Sequence, residues 1–374
     1  MIIHLIWKGG RSMNDERRKI LKMVEDGIIS SEEAEELLDS LDKAEQAQST
    51  EISKQVDWEE GEKYYSTNKT GNKNGKKAKL LGFIEDAFSK IKNVDLDFNF
   101  GSYTSVSHIF HSQDADFSKA DIDISNGSVT LLPWDEQDIR IECEVKVYQE
   151  EDRNKAREKF LEEAEYRIED GVLYFNIPSK QMKATIAIKV PSKLYDKITI
   201  RLFNGPIHIE NMQANQLRTK TTNGAIDIEK VQIAKCFAET ANGMIKVSQA
   251  LVKEIEAETI SGSVRLDGEF KHVDAQVVNG SVHCLWNGGL ATSGFFKTTT
   301  GSVRLTLPQQ VKIDGKLETN IGAIHCDLNN QVVFEEKKEM MKRMLQFEAN
   351  GEYEQLLHLE AETRTGSIWV LPND

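Results

Sequence analysis

The chain has 374 residues, with 47 Lys and Arg against 61 Asp and Glu, a formal net charge of -14 at pH 7. Such a balance repels phosphate backbones on average and suits a cationic partner, so general nucleic-acid binding is not expected. With 39% hydrophobic and 29% charged residues the composition is that of a globular chain in water, and no apolar run approaches the roughly 20 residues that cross a bilayer.

The opening MIIHLIWKGGRS has too short an apolar part for a secretory signal, no basic start and no small-residue cleavage site. Lys8, Gly9 and Gly10 can be encoded as AAA GGA GGA, a ribosome-binding sequence just ahead of Met13. Translation is therefore expected to begin at Met13, with residues 1–12 an unstructured start-site extension, and the absence of an export signal or spanning segment points to the cytoplasm.

From Asn14 the pattern turns helical. Ile20, Leu21, Met23 and Val24 share one face, and Asp26-Gly27 supplies a stop. Ser30 and Glu33 have capping-box spacing, and Ala34, Leu37, Leu38 and Leu41 follow at i, i+3, i+4 and i+7. The spacing predicts a helical hairpin over 13–43, too small to be comfortable alone, so a protein partner or self-association through 13–43 is expected. Arg17, Arg18, Lys19 and Lys22 raise a DNA-reading helix-turn-helix, but the second helix, EEAEELLD, puts carboxylates where a recognition helix needs cations.

Residues 44–79 are polar and aperiodic, which predicts a flexible, disordered linker. Within 80–93, Leu80, Phe83, Ile84, Ala87, Phe88 and Ile91 form one apolar stripe. Two readings stand: an amphipathic helix capping the core of the next domain, or a helix making peripheral membrane contact. With only Lys79, Lys90 and Lys92 as basic residues, the cap is favoured.

The remainder, 94–374, repeats itself. TTNGAIDIEK (221–230) is followed 19 positions later by TANGMIKVSQ and 19 after that by TISGSVRLDG. The turn glycines are Gly127, Gly205, Gly224, Gly243, Gly262, Gly280, Gly301, Gly322 and Gly366, spaced 18 to 21 residues apart between Gly205 and Gly322. Two and four positions after each glycine stand apolar residues: Ile226 and Ile228, Ile245 and Val247, Val264 and Leu266, Val282 and Cys284, Val303 and Leu305, Ile324 and Cys326. This column is the expected core, and alternation with polar neighbours predicts strands with one face inward. A β-branched residue precedes each of the seven glycines from Gly224 onward by three, as Thr221, Thr240, Thr259, Val277, Thr298, Thr319 and Thr363, and Asn126, Asn204, Asn223, Asn242 and Asn279 precede five of the turn glycines by one, where positive φ and stacked amides are expected. One turn signal per 18 to 21 residues is too sparse for a hairpin array, which repeats about every 8 to 12. The expected fold is mainly β, a single parallel β-solenoid, with helical insertions at 150–170 and 334–348 lying outside the stack or over an end.

No catalytic, cofactor or metal site is expected. Cys143, Cys236, Cys284 and Cys326 form no CxxC pair, and reduced, packed thiols are predicted. The outward position three after each glycine runs Thr130, His208, Asp227, Lys246, Arg265, His283, Arg304, His325, Trp369, without a repeated acid for glycoside cleavage. His283 and His325 face the same way, with the Arg304 coil expected between them. Their neighbours Cys284 and Cys326 point inward by alternation, which separates thiol from imidazole.

Taken together, MNDERRKILKMVEDGIISSEEAEELLDSL, FIEDAFSKIKNVDLDFNFG and the NGSV, NGAI and TGSV coils resemble the LiaX/YvlB-type envelope-stress proteins of Gram-positive bacteria. These couple a SHOCT-like helical module to an adhesin-like domain of β-strand repeats of the DUF4097 type. The resemblance spans Met13 to Asp374. It implies a non-enzymatic accessory of the envelope stress response, with a cationic peptide or envelope component as a partner and surface exposure as in some relatives. It supplies no site residues. A carbohydrate-binding or carbohydrate-cleaving β-helix and a self-assembling solenoid are the alternative readings.

Overall fold

The structure is a computed structural model that describes residues 101–339 and 342–373. The expected start-site extension over 1–12, helical hairpin over 13–43, linker over 44–79 and helix over 80–93 lie outside the described residues.

The fold is mainly β. Twenty-two strands join one hydrogen-bonded network, with one α-helix, Arg153–Glu163, among the described residues. The sequence period reappears as the offset between paired strands. Ile226 lies beside Ile207 on one side and Ile245 on the other, all parallel, and Thr240 lies beside Thr221 and Thr259. Each repeat therefore contributes one rung to two parallel ladders, one of long strands entering the glycine turn and one of short strands leaving it. Rungs in such ladders are about 4.8 Å apart.

Burial follows the period of two. Ile226, Ile228, Ile245, Val247, Val264, Leu266, Val282, Cys284, Val303 and Leu305 are all buried, whereas Ile324 and Cys326, on the last short rung, are half-buried against the same core.

Backbone crowding accounts for the glycines. A Cβ on Gly224 would stand 2.0 Å from the carbonyl oxygen of Gly205, and one on Gly243 would stand 1.9 Å from that of Gly224. No side chain fits between rungs this close, and neither Gly224 nor Gly243 has φ in the left-handed region, so close approach is the constraint there. The threonines use the same carbonyls: Thr221, Thr240 and Thr259 donate to Gly205, Gly224 and Gly243 at 3.0–3.1 Å. The asparagines preceding the glycines are not in positive φ. That conformation falls on turn glycines themselves, Gly127, Gly205, Gly262, Gly280, Gly301 and Gly366 at φ of 129° to 150°, and at the opposite corner on Asn211, Lys230 and Gln249, which no turn dipeptide marks.

Chain order and spatial order part at both ends. The strand Lys119–Trp134 lies between rungs built from 172–191 and 194–209. At the other end the last rung, 356–372, lies between 293–307 and 312–326. Antiparallel strands cover the ends: Ile139–Tyr148 and Tyr103–Ser112 on one side, Lys342–Ala349 and Val332–Glu339 on the other.

The expected helix at 334–348 is thus a correction. Its residues form a β-hairpin, despite strong helix formers, because pairing with Lys312–Ile321 satisfies an otherwise open strand edge and buries Met344, Phe347 and Ala349. Gly315 makes room for this, since a Cβ there would stand 2.3 Å from the Phe347 ring. Over 150–170 the helix is shorter than expected, ending at Glu163, and Glu165–Glu169 is a strand. Asp152 caps that helix by accepting from the Asn154 and Lys155 amides.

Candidate functional site

Outward positions on the short-strand ladder are brought into a column by the register. In spatial order it reads Thr130, His208, Asp227, Lys246, Arg265, His283, Arg304, Trp369, His325. The intercalated last rung changes the sequence expectation here. His283 and His325 are separated by two rungs, carrying Arg304 and Trp369, rather than by one. That distance, about 14 Å over three rung spacings, rules out a shared metal ion.

The column has two halves of different electrostatics. In the first, charges cancel: Asp227 lies 3.8 Å from His208 and 3.5 Å from Lys246, and Lys230 bridges Glu210 and Glu229 at 3.2 and 3.0 Å. In the second, Arg265, His283, Arg304 and His325 are exposed and Trp369 is half-buried. Among the described residues no carboxylate forms an ion pair with Arg265 or Arg304. The His283 imidazole is held below its ordinary pKa, chiefly by partial desolvation between its neighbours and then by the Arg265 and Arg304 guanidiniums on the flanking rungs. It is therefore neutral at pH 7, and the fixed positive charge belongs to the two arginines.

Arg304, Trp369 and His325 form a continuous stack. The guanidinium lies 5.3 Å from the indole centroid, and the indole and imidazole rings are 5.7 Å apart and 10° from parallel. Beside this column Ser281, Ser302 and Ser367 also stack. Each Oγ accepts the backbone amide of the next rung, at 3.2, 3.4 and 3.1 Å, which leaves the hydroxyl hydrogen as a donor.

Cys284 and Cys326 sit on the other side of these short strands, while Cys236 lies on the long-strand ladder and Cys143 on the covering strand Ile139–Tyr148. Cys143, Cys236 and Cys284 are buried and Cys326 is half-buried; burial pushes the Cys143 and Cys236 thiols up to about 12 and Cys326 to about 11, and raises Cys284 further. A thiol so shifted is not a nucleophile near neutral pH. The division of the column into two halves is not visible along the chain, because spatial neighbours in it are 18 to 78 residues apart.

These features define a class, a β-strand-repeat protein with a regular outward face. The Toastrack DUF4097 family model matches residues 110–363, and a SHOCT-like domain model matches residues 15–46. The chain is 42% identical over 359 residues to the uncharacterized protein YvlB of Bacillus subtilis, covering 95% of this chain and 98% of that one. This chain belongs to the Toastrack DUF4097 family and is of the YvlB type. Among solved structures, a candidate cell adhesion protein of Clostridium sporogenes is 12% identical with TM-score 0.28, covering 72% of this chain and 100% of that one. A candidate adhesin of Bacteroides fragilis is 11% identical with TM-score 0.32, covering 72% and 98%. Among the described residues no helix is long and apolar enough to cross a membrane.

Proposed function

We propose that this chain is a non-enzymatic scaffold or sensor associated with envelope stress, in which the rung stack, read as a single parallel β-solenoid, is the interaction surface. Residues 13–43 serve as its oligomerisation or docking module. The observation that carries the reading is the second half of the outward column, where five successive rungs hold long polar and aromatic side chains in fixed register on an exposed face. A surface of that kind suits binding better than turnover, since its thiols point away and His283 and His325 are three rung spacings apart. The in-register parallel pairing supports the solenoid, and the resemblance of the SHOCT-like segment plus repeats to envelope-stress proteins supports the physiological setting.

The test is fractionation of intact cells with membrane-impermeant lysine labelling, before and after exposure to a cationic membrane-active peptide. Labelling at the surface, or movement to the membrane fraction under stress, is the expected result. A chain that stays unlabelled and in the soluble fraction in both states overturns the sensor reading.

A further inference from the structure

We propose that the strip Arg265, His283, Arg304, Trp369 and His325 binds an extended, unbranched, single-chain polyanion. This rests on the interaction-surface reading above and names the ligand class for that surface.

Three observations carry it. First, the strip has no acid in its column across five consecutive rungs, although the chain as a whole has a net charge of -14. Elsewhere on the stack, cations meet acids on the next rung: Arg201 with Asp123 at 2.9 Å, Lys235 with Glu254 at 2.9 Å, Lys297 with Glu362 at 2.6 Å. Second, what the strip offers is hydrogen-bond donors. Two guanidiniums, the indole N–H and the flanking Ser281, Ser302 and Ser367 hydroxyls all point to acceptor oxygens. Both faces of the Trp369 ring are occupied, by Arg304 and His325, so the ring offers its edge rather than a stacking platform. Third, Arg265 and Arg304 crowd His283 with positive potential, which a bound anion would relieve.

Geometry selects the ligand's form. The charges are in single file, with Arg265 and Arg304 two rungs, about 9.6 Å, apart. The flanking column carries Asp267 beside the first rung, where it accepts from Asn287, and Asp327 beside the last. Those acids bound the site to a narrow lane. A thin chain lying in the lane stays near both guanidiniums, while the surrounding acidic surface is screened beyond about 8–10 Å. A duplex nucleic acid or an anionic membrane would bring a broad negative surface against the rest of an acidic protein.

The experiment uses the full chain with long-chain inorganic polyphosphate as probe and measures affinity against salt. Binding at 50 mM salt that weakens about sevenfold by 200 mM is expected for two contacts on a single chain. Arg265→Gln/Arg304→Gln should lower affinity at least about tenfold at 50 mM and flatten the salt dependence, since two phosphate contacts are removed. Lys235→Gln, on the long-strand ladder, should bind as the parent does, and Arg304→Lys should retain most of the affinity. Equal binding by the double variant, or preference for duplex DNA or anionic vesicles over polyphosphate, overturns the proposal. If polyphosphate fails to bind but the chain still relocates under peptide stress, the polyanion assignment is lost and the scaffold reading stands. If it binds yet never relocates, the reverse holds.

Discussion

Gly366 packs its Cα against the carbonyl of Gly301, so that a Cβ there would stand 1.9 Å from that oxygen, although 64 residues separate the two in the chain. The next glycine outward is Gly322, whose Cβ would stand 1.8 Å from the carbonyl of Gly366. The glycines thus form a spine in which each rung leans on the one before it in space, whatever the chain order.

Close approach of this kind predicts a large, specific penalty for a methyl group. Gly224→Ala should destabilise by about 3 kcal/mol, the upper end of overpacking penalties, because the obstacle is backbone and cannot rotate aside. Gly289→Ala is the control, as a Cβ there meets nothing within 4 Å. Urea unfolding of both variants decides it: equal midpoints would show that the rungs can spread.

A second prediction concerns the amide ladder. Asn242 donates to Asn223 at 2.9 Å, Asn223 to Asn204 at 2.8 Å, and Asn204 to Asn126 at 2.8 Å. Asn223→Ala removes a donor and an acceptor together and should cost about 1–3 kcal/mol. Asn223→Asp should cost more near pH 7, since a carboxylate then faces the Asn204 oxygen, and should recover part of the loss on acidification. A stability for the Asp variant that ignores pH would count against the ladder as a source of stability.

The intercalated C-terminal rung predicts the outcome of truncation. Removing residues 356–374 takes out an inner rung, not an outer one, and leaves the strands Ser293–Thr300 and Lys312–Ile321 without a shared neighbour. Limited proteolysis with mass spectrometry should then find cuts throughout 293–349, whereas loss of an ordinary end rung would confine cuts to the new terminus.

Buried thiols give a pH dependence with a definite sign. The Cys236 thiol is raised from 9.0 to about 12 in the folded chain. The unfolded state therefore releases its proton first, and the stability this group contributes is fully present below pH 9 and declines as pH rises toward 12. Urea unfolding between pH 8 and pH 10.5 should show a smaller decline for Cys236→Ala than for the parent. In the native state all four cysteines should resist iodoacetamide at pH 8 and label only on unfolding; rapid native labelling of Cys236 would sink the assignment.

Much of this architecture is legible in the repeat. The 19-residue offset from Ile226 to Ile245 becomes one rung, and the apolar positions two and four after each glycine point inward, because side-chain alternation is set by the local backbone. The hairpin Val332–Glu339 with Lys342–Ala349 was not legible. FEEKKEMMKRMLQFE has helix-forming composition, and only the unpaired edge of Lys312–Ile321 and the space over Gly315 turn it into strands. Nor did any turn dipeptide mark the corner at Asn211, Lys230 and Gln249.

By itself, then, the sequence determined the period, the inward and outward faces, the glycine turns and the β-rich class, all properties written within one repeat. Only the tertiary structure decided which rung lies beside which. Every rung presents the same apolar columns and the same open hydrogen-bonding edges, so local pattern cannot order them, and the order at both ends is set by non-local pairing. The outward strip depends on that order. Placing Trp369 between Arg304 and His325, with Arg265 and His283 on the preceding rungs, makes a cationic lane on a chain whose average charge is negative.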